Sequence, residues 1–596
     1  MITENTFHRV LYIDLNQNRF EIRNREDLFK KFIGGTGVAI RLLHEECPEG
    51  VDPLAPESPI ILAIGPLTGV YPLASKTVAL FKSPLTGNLG ESHVGGRSAV
   101  AIRMAGFGAI VIKGKSDHPV YLSIHDNKVF FKDATTIWQM SSSFTAGRII
   151  RQKEGDSGMR SIMRIGQGGE NLVAYAAVTT ETYRHFGRMG LGAVFGSKLL
   201  KGINISGKSS IEIADNKHYR KLYKKIYNAA VEQPLMKKYH DLGTAGNVLT
   251  LNELNALPTK NVTQNRLEGV ENISGENLAK NFLGRRAACS HCPVGCIHLA
   301  ALREVSDHEA HFYKTTMIGY DFELIYSLGS MLGISDPEVM LKLIDRVEKY
   351  GVDAMSVGVV MAWATEMMLK KKISTEHTDG LPLNWGDGAT YEKMVKKIVL
   401  QENDFYKALA KGSEYAANLY GGKDFAMSFG KNEMAGYHTG PAAYLGFLIG
   451  ARHSHLDNAG YSIDQTDMIN NQITPQEVID KLVVEEGLRQ LLSSLTVCFF
   501  SRGIYKIDVI KETLASIGID FTEEELNKLG TEIYYDKYRF KFREGFKFED
   551  LHVPNRIYET SSLNGLISHE FIEKGLEYAK SKITARSNET ATTDEL

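Results

Sequence analysis

Cysteine is scarce in this sequence: five residues in 596, an odd number and too few for a disulfide framework. A surplus of one charge is missing too. Lys and Arg total 69 against 71 Asp and Glu, a formal net charge of −2. That balance excludes the basic excess usual in nucleic-acid-binding and membrane-surface proteins. No apolar stretch approaches the ~18–20 residues of a membrane span. The opening MITENTFHRVLYIDLNQ is polar where a signal peptide carries its charged and apolar regions. The expected compartment is therefore the cytoplasm, where thiols stay reduced and free to bind metal. What is present, 43% hydrophobic and 23% charged residues, is an ordinary globular composition. The chain is too long for one hydrophobic core, so three or four domains are expected. Glycine, 55 residues, is mildly abundant, and close backbone approaches to a ligand or between layers are one use for it.

The first two hundred residues read as short strands and turns. RVLYIDL, SPIILAIG, KTVALFKS, GAIVIKG and VYLSIHDNKVFF are β-branched or aromatic runs, several closed by glycine, asparagine or proline. Their spacing predicts antiparallel sheet with few helices. Beyond it KHYRKLYKKIYNAAVEQPLMKKYHDL, DPEVMLKLIDRVEKYGVDAMSVGVVMAWATEMML and TPQEVIDKLVVEEGLRQLLSSLTVCFF show helical periodicity. Asp336-Pro337 reads as an N-cap followed by proline at the first helical position. The expected fold is α+β: a β-rich domain at 1–208, then mostly α-helical domains at 209–425 and 426–596. The polar tail TARSNETATTDEL is expected to be disordered. No internal repeat is evident.

Three of the five cysteines lie in CSHCPVGC: Cys289, Cys292 and Cys296. A C-x2-C-x3-C run is one ligand short of a four-coordinate site. Zinc would be completed by His291 or His298; a [4Fe–4S] cluster needs a fourth, remote thiolate; buried cysteines serving as small hydrophobes are the third reading. Cys47, in LLHEECPEG, reads as an exposed, charged helix end and a weak ligand. Cys498, in the apolar SLTVCFF, is the better candidate. Pro293 and Gly295 make a tight turn whose N–H groups suit cluster sulfurs.

AACSHCPVGCIH resembles the iron–sulfur motif of the tungsten-containing aldehyde ferredoxin oxidoreductase family, with Cys498, 202 positions after Cys296, as the distant fourth ligand. KSPLTGNLGESHVGG, GQGGENLVAYAAV, GRMGLGAVFGSKLLKGI, SLGSMLGISD and EKYGVDAMS are similar to that family as well. The resemblance runs from about residue 5 to 500. It implies an N-terminal β base for a tungsten (or molybdenum) bis-pterin (tungstopterin), two helical domains enclosing it, a [4Fe–4S] cluster, and Mg2+ bridging the pterin phosphates. On that basis Lys76, His93, Gly95, Gly96, Arg188, Gly190, Glu348, Gly351, Val352 and Asp353 are expected at the cofactor.

Three departures stand out. The family's repeated D-x-x-G-L-[DC] motif is met by EKYGVD at Glu348–Asp353, but its second copy reads SSLTVC, with neither aspartate nor glycine. Lys76 stands near a position where many members carry arginine. YHTGPAAYLG, 437–446, differs from the family's segment and points to another substrate pocket.

The resemblance further implies a glutamate and a histidine beside the metal. Glu323 in GYDFELIYSLG matches the first, and His455 in GARHSHLDNAG the second, with His453 competing. As residues alone, Glu323 reads equally as a cap or salt-bridge partner, and RHSH as a solvated surface loop. The expected activity is aldehyde oxidation to a carboxylic acid, with electrons passing to ferredoxin or an iron–sulfur subunit. A catalytic subunit reducing aromatic acyl-CoA and a non-catalytic zinc or iron–sulfur scaffold are the rivals. Gly34-Gly35-x-Gly37 lacks the full dinucleotide fingerprint. No nucleic acid partner is expected, and assembly into a homo-oligomer stays open.

Overall fold

The computed structural model describes residues 6–589 except 156, 157, 182, 212, 214, 307, 308, 471 and 472. Its first two hundred residues form two six-stranded sheets. In the first are β1 (Arg9–Asp14), β2 (Arg19–Asn24), β3 (Ile60–Ala63), β4 (Thr77–Lys82), β5 (Leu89–Val94) and β6 (Ala109–Lys113), in the order β2-β1-β6-β3-β4-β5. In the second are β7 (Val120–His125), β8 (Lys128–Asp133), β9 (Met159–Ile165), β10 (Val178–Thr179), β11 (His185–Phe186) and β12 (Leu200–Gly207), ordered β11-β10-β9-β12-β7-β8. Each sheet pairs one set of strands in parallel, β1 with β6 and β7 with β12.

The antiparallel, helix-poor expectation for this region is thus corrected. Helices Gly35–Glu46, Ser98–Met104, Ser143–Lys153 and Leu191–Ser197 lie between the strands. Gly35–Glu46, Ser98–Met104 and Leu191–Ser197 are short, carry glycine or alanine and are buried nearly all round, so no one-sided stripe marks them, whereas Ser143–Lys153 buries only Ser143, Ala146, Gly147 and Ile150. Strands β3 and β4 are buried at every position, as a sheet covered on both faces requires.

The remainder is mostly helical. Asp336 caps helix Pro337–Tyr350 as expected, its Oδ1 accepting from the N–H groups of Glu338 (2.8 Å) and Val339 (3.0 Å). The long periodic segment does not continue unbroken: Gly351 takes φ +70° and a second helix, Ala354–Leu369, starts after Asp353. Helix Pro475–Ser494 opens with a reciprocal capping box between Thr474 and Glu477.

A three-stranded sheet lies inside this helical part, β13 (Leu283–Ala287), β14 (Ile297–Ser306) and β15 (Glu309–Tyr320), and a two-stranded one pairs Ser428–Phe429 with Asn432–Glu433. The cysteine run connects β13 to β14, and β15 leads directly into helix Phe322–Leu328. At the C-terminus helix His569–Asn588 includes the first residues of the expected disordered tail; residues 590–596 lie outside the described residues.

Candidate functional site

Main-chain hydrogen bonds bring the four thiols together across the chain. Leu73 N–H donates to the His291 carbonyl (3.1 Å), and Cys498 N–H donates to the Leu73 carbonyl (3.0 Å). Lys76 N–H donates to Thr496 O (3.2 Å), while Ser290 N–H donates to Gly96 O (2.8 Å). Segment 73–76 is thereby held between the cysteine loop and the Cys498 strand. The thiols oppose one another's ionisation. Burial pushes Cys292 up, with Cys289, Cys296 and Cys498 adding to it. Cys296 rises to about 11 through burial and its sister thiols, against the pull of Arg184. Two cations face this group. Burial opposes their charge, yet the neighbouring thiolates outweigh it and hold both Lys76 and Arg184 above their ordinary values. Arg184, which nothing in the sequence singled out, supplies a guanidinium beside the four thiols, where only Lys76 was expected.

Cys47 is no helix-end ligand. It is buried, 3% exposed, and burial pushes its thiol to about 11. Helix Glu523–Arg543 covers it, and Arg543 Nη2 donates to its carbonyl at 3.1 Å.

The thiols open onto a cavity of about 600 Å³. Lys76, His93, Gly95, Arg188, Glu348, Val352 and Asp353 line it together with Glu323 and His455. Three expected contacts do not reach it. A Cβ on Gly190 would lie 2.1 Å from Ala174 O, and one on Gly351 2.9 Å from Gly166 N, so both glycines serve the chain's own packing. Gly96 contributes its carbonyl to the cysteine loop instead. Asp353 is also largely engaged within the chain. It accepts from Met355 N and Ser356 N (3.2 Å each) and Ser356 Oγ (2.5 Å), and Arg188 Nε donates to it at 3.3 Å.

Many polar atoms on the wall have no partner among the described residues: Arg188 Nη1, Arg489 Nη2, His185 Nε2, Asn432 Oδ1, Glu323 Oε1 and His455 Nδ1. An unsatisfied buried polar group costs about 1–3 kcal/mol. Such a concentration fits a bound polar group rich in donors, acceptors and negative charge, with arginines 184, 188, 452 and 489 on the lining.

Glu323 and His455 converge from different parts of the chain. Glu323 sits in the first turn of helix Phe322–Leu328, which Asp321 caps through Leu324 N–H (3.4 Å). His455 rides on a loop held by buried charge. Asp457 accepts from Arg452 N (3.1 Å) and Ser454 N (3.0 Å), and Arg489 Nη1 donates to the His455 carbonyl (3.3 Å). Glu323 Oε1 and His455 Nε2 lie 3.2 Å apart without hydrogen-bond alignment. Gly436 N–H donates to Glu323 Oε2 at 3.1 Å. The carboxyl is 17% exposed, yet that opening faces the cavity, and burial raises its pKa to about 8. Burial, then Arg188 and Arg489, hold His455 well below the ordinary imidazole range. At neutral pH the pair is uncharged. His453 is excluded from it: its ring bonds to Phe447 O (3.0 Å) and accepts from Lys541 Nζ (2.9 Å), away from the cavity wall. RHSH is therefore a buried loop, not a solvated one.

Tyr437 brings the departing segment 437–446 into the site. Its ring lies 4.6 Å from Tyr461, 5.2 Å from Phe322 and 5.3 Å from His455, centroid to centroid. These rings make an aromatic wall beside the Glu323–His455 pair.

The repeat expected at EKYGVD and SSLTVC has a counterpart in the backbone. Helix Pro337–Tyr350 gives way to left-handed Gly351, then Val352 bridges Ala176, then Asp353. Helix Pro475–Ser494 gives way to left-handed Thr496 (φ +54°), then Val497 bridges Ala74, then Cys498. Thr496, β-branched in a region that favours glycine, is pinned there. Its Oγ1 accepts from Gly65 N at 3.0 Å and lies 2.9 Å from Thr68 Oγ1.

The fold is shared with a solved structure titled the active-site complex BamBC of benzoyl coenzyme A reductase in complex with 1,5-dienoyl-CoA. The TM-score is 0.80 at 20% identity, covering 99% of this chain and 100% of that one. Residues 10–207 match the family model for the aldehyde ferredoxin oxidoreductase N-terminal domain, and residues 221–582 the model for its domains 2 and 3. The chain is 33% identical over 554 residues to the tungsten-containing aldehyde ferredoxin oxidoreductase of Pyrococcus furiosus, spanning 90% of this chain and 88% of that one. To the enzyme of the same description from Thermococcus kodakarensis it is 31% identical over 568 residues, 92% and 91% of the two chains. The aliphatic sulfonate oxidoreductase WOR-like subunit of Pyrococcus furiosus is 32% identical over 427 residues, 69% and 66% of the two chains. The protein is an oxidoreductase. It belongs to the aldehyde ferredoxin oxidoreductase family, whose tungsten-containing members are its relatives.

Proposed function

We propose that the chain oxidises aldehydes to carboxylic acids at a tungsten (or molybdenum) bis-pterin in this cavity. The electrons leave by way of a [4Fe–4S] cluster on Cys289, Cys292, Cys296 and Cys498, to ferredoxin or an iron–sulfur subunit. The observation that carries the reading is the Glu323–His455 pair, 3.2 Å apart, facing a cavity that also holds four convergent thiols. Among the described residues no three His, Cys, Asp or Glu side chains could hold a metal ion. The working division is 1–208, 209–425 and 426–596, each part giving one side of the site, in a cytoplasmic protein. Among the described residues no helix is long and apolar enough to cross a membrane.

The reaction takes RCHO and water to RCOOH, two protons and two electrons. The bound metal centre would supply a Lewis acid and a two-electron sink. The chain handles protons and position. Glu323, once ionised, accepts a proton from water at Oε1. His455, neutral across the working range, offers its ring to the aldehyde oxygen or to Glu323. Tyr437, Tyr461 and Phe322 hold the organic part and exclude bulk water. Arg188 and Arg489 would take phosphate or carbonyl oxygens with their free nitrogens.

An aldehyde panel with viologen dye under anaerobic conditions tests this directly. Aldehyde-dependent dye reduction is expected. Turnover of an aromatic acyl thioester with none on any aldehyde would favour the acyl-CoA reductase reading.

The cluster site yields its own prediction. A Cβ on Gly95 would lie 2.7 Å from Cys289 Sγ and 3.1 Å from Lys76 Nζ. Gly95→Ala is expected to lower iron per chain severalfold while the unfolding midpoint moves little. Iron at parent level would show that no bound group fixes that sulfur.

A further inference from the structure

The recurring halves of the site are built alike, but not with the same acid. On the first side Glu348, three residues before left-handed Gly351, places Oε1 4.0 Å from Nε2 of His185 in β11. On the second side the residue three before left-handed Thr496 is Ser493. It carries no charge and does not line the cavity.

An acid nevertheless stands there, delivered by another element. Glu91 in β5 lies on the cavity wall and is 2% exposed. It is fixed over the last turns of helix Pro475–Ser494. Lys537 donates both to Glu91 Oε2 and to Gln490 Oε1, and the Gln490 carbonyl accepts from Ser494 Oγ at 2.8 Å. Thr36 Oγ1 donates to Glu91 Oε1 at 3.3 Å.

Glu91 Oε1 also lies 2.6 Å from Nε2 of His93. His93 holds in β5 the place that His185 holds in β11: two residues before a cavity-lining glycine, Gly95 or Gly187, with a helix following. Where β5 carries Glu91, two residues before its histidine, the β11 side carries Tyr183. The acid has moved from helix end to strand.

We propose that Glu91 and His93 form the second pterin half-site, Glu91 fixing Nε2–H of the imidazole so that Nδ1 accepts from a pterin ring N–H or amino group in place of the carboxylate absent at Ser493. This rests on the reading that the cavity holds a bis-pterin. The geometry supplies its chemistry. A carboxylate only accepts, so Nε2 carries the proton and Nδ1 keeps its lone pair. The ring side chain is 14% exposed on the cavity wall. Burial and then Arg452 push His93 down to about 4, so the ring stays neutral and an acceptor at working pH.

The test is pterin released and quantified per chain, with tungsten, molybdenum and iron, in anaerobically purified variants. His93→Leu is expected to lose pterin at least threefold at parent iron content. His93→Gln, which keeps an acceptor, is expected to stay within twofold of the parent. Parent-level pterin in a folded His93→Leu chain, or equal loss with glutamine, overturns the assignment. If His93→Leu does not fold, Glu91→Gln decides: pterin loss at full iron supports the half-site, and full pterin overturns it. A parent chain without pterin overturns the proposed function and this assignment with it; a loaded parent beside a loaded variant overturns this assignment alone.

Discussion

Glu323→Gln is expected to lower kcat/KM for aldehydes by about 10²–10⁴, the usual range for removing a general base, while metal and pterin contents stay at parent level. The substitution keeps shape and the acceptor for Gly436 N–H, and removes only the ability to take a proton. The pH profile gives an independent check. Burial raises the Glu323 carboxyl from its ordinary 4.5 to about 8, so the ionised fraction grows about ninefold from pH 6 to 7 and about fivefold from pH 7 to 8. A base is active when ionised, so the rate should rise with pH over that range, pass its half-maximum near pH 8 and level about one unit higher. His455, held well below the imidazole range, adds no limb there. In Glu323→Gln the rise should vanish. A rate falling through pH 8 would make Glu323 a proton donor instead.

Cys498→Ser is expected to bring iron from about four per chain to well under half of that and to abolish the reduced-cluster magnetic resonance signal. Serine fits the space, but its hydroxyl is a poor substitute for thiolate at iron. The segment at Cys498 is tied to Leu73 by a main-chain hydrogen bond and to Ala74 by the bridge at Val497, so the substitution leaves the local backbone in place. Cys47→Ser is the matched control. Cys47 is buried under helix Glu523–Arg543 and does not line the cavity, so iron should be unchanged. The contrast between the two variants separates loss of a ligand from general damage.

What could be read from the sequence follows from where each signal resides. Three cysteines in eight residues announce a site by themselves; the fourth, 202 positions away in an apolar run, was only the better of two remote candidates until the resemblance singled it out. The same holds for Glu323 and His455. Neither has a local motif, and their pairing at 3.2 Å exists only once helix Phe322–Leu328 meets the loop fixed by Asp457 and Arg489. The helices between the first strands escaped because buried, glycine-rich segments of seven to twelve residues show no one-sided periodicity. HEEC looked exposed because its charges are local, whereas the helix covering Cys47 comes from nearly 500 residues further on. The second copy of the repeated motif was faint in the sequence for a different reason. The repeat resides in backbone conformation, left-handed Gly351 and Thr496, and in which alanine each next valine bridges, while side chains around it diverged. Glu91 stayed unseen because GESH matches no pattern; only its position over Gln490 and Lys537 reveals it.

Elemental and pterin analysis of the anaerobically purified chain tests the central claim most directly. The expected result is about four irons with tungsten or molybdenum and pterin in the same molecule. Zinc in place of iron, or iron with neither heavy metal nor pterin, would contradict the account.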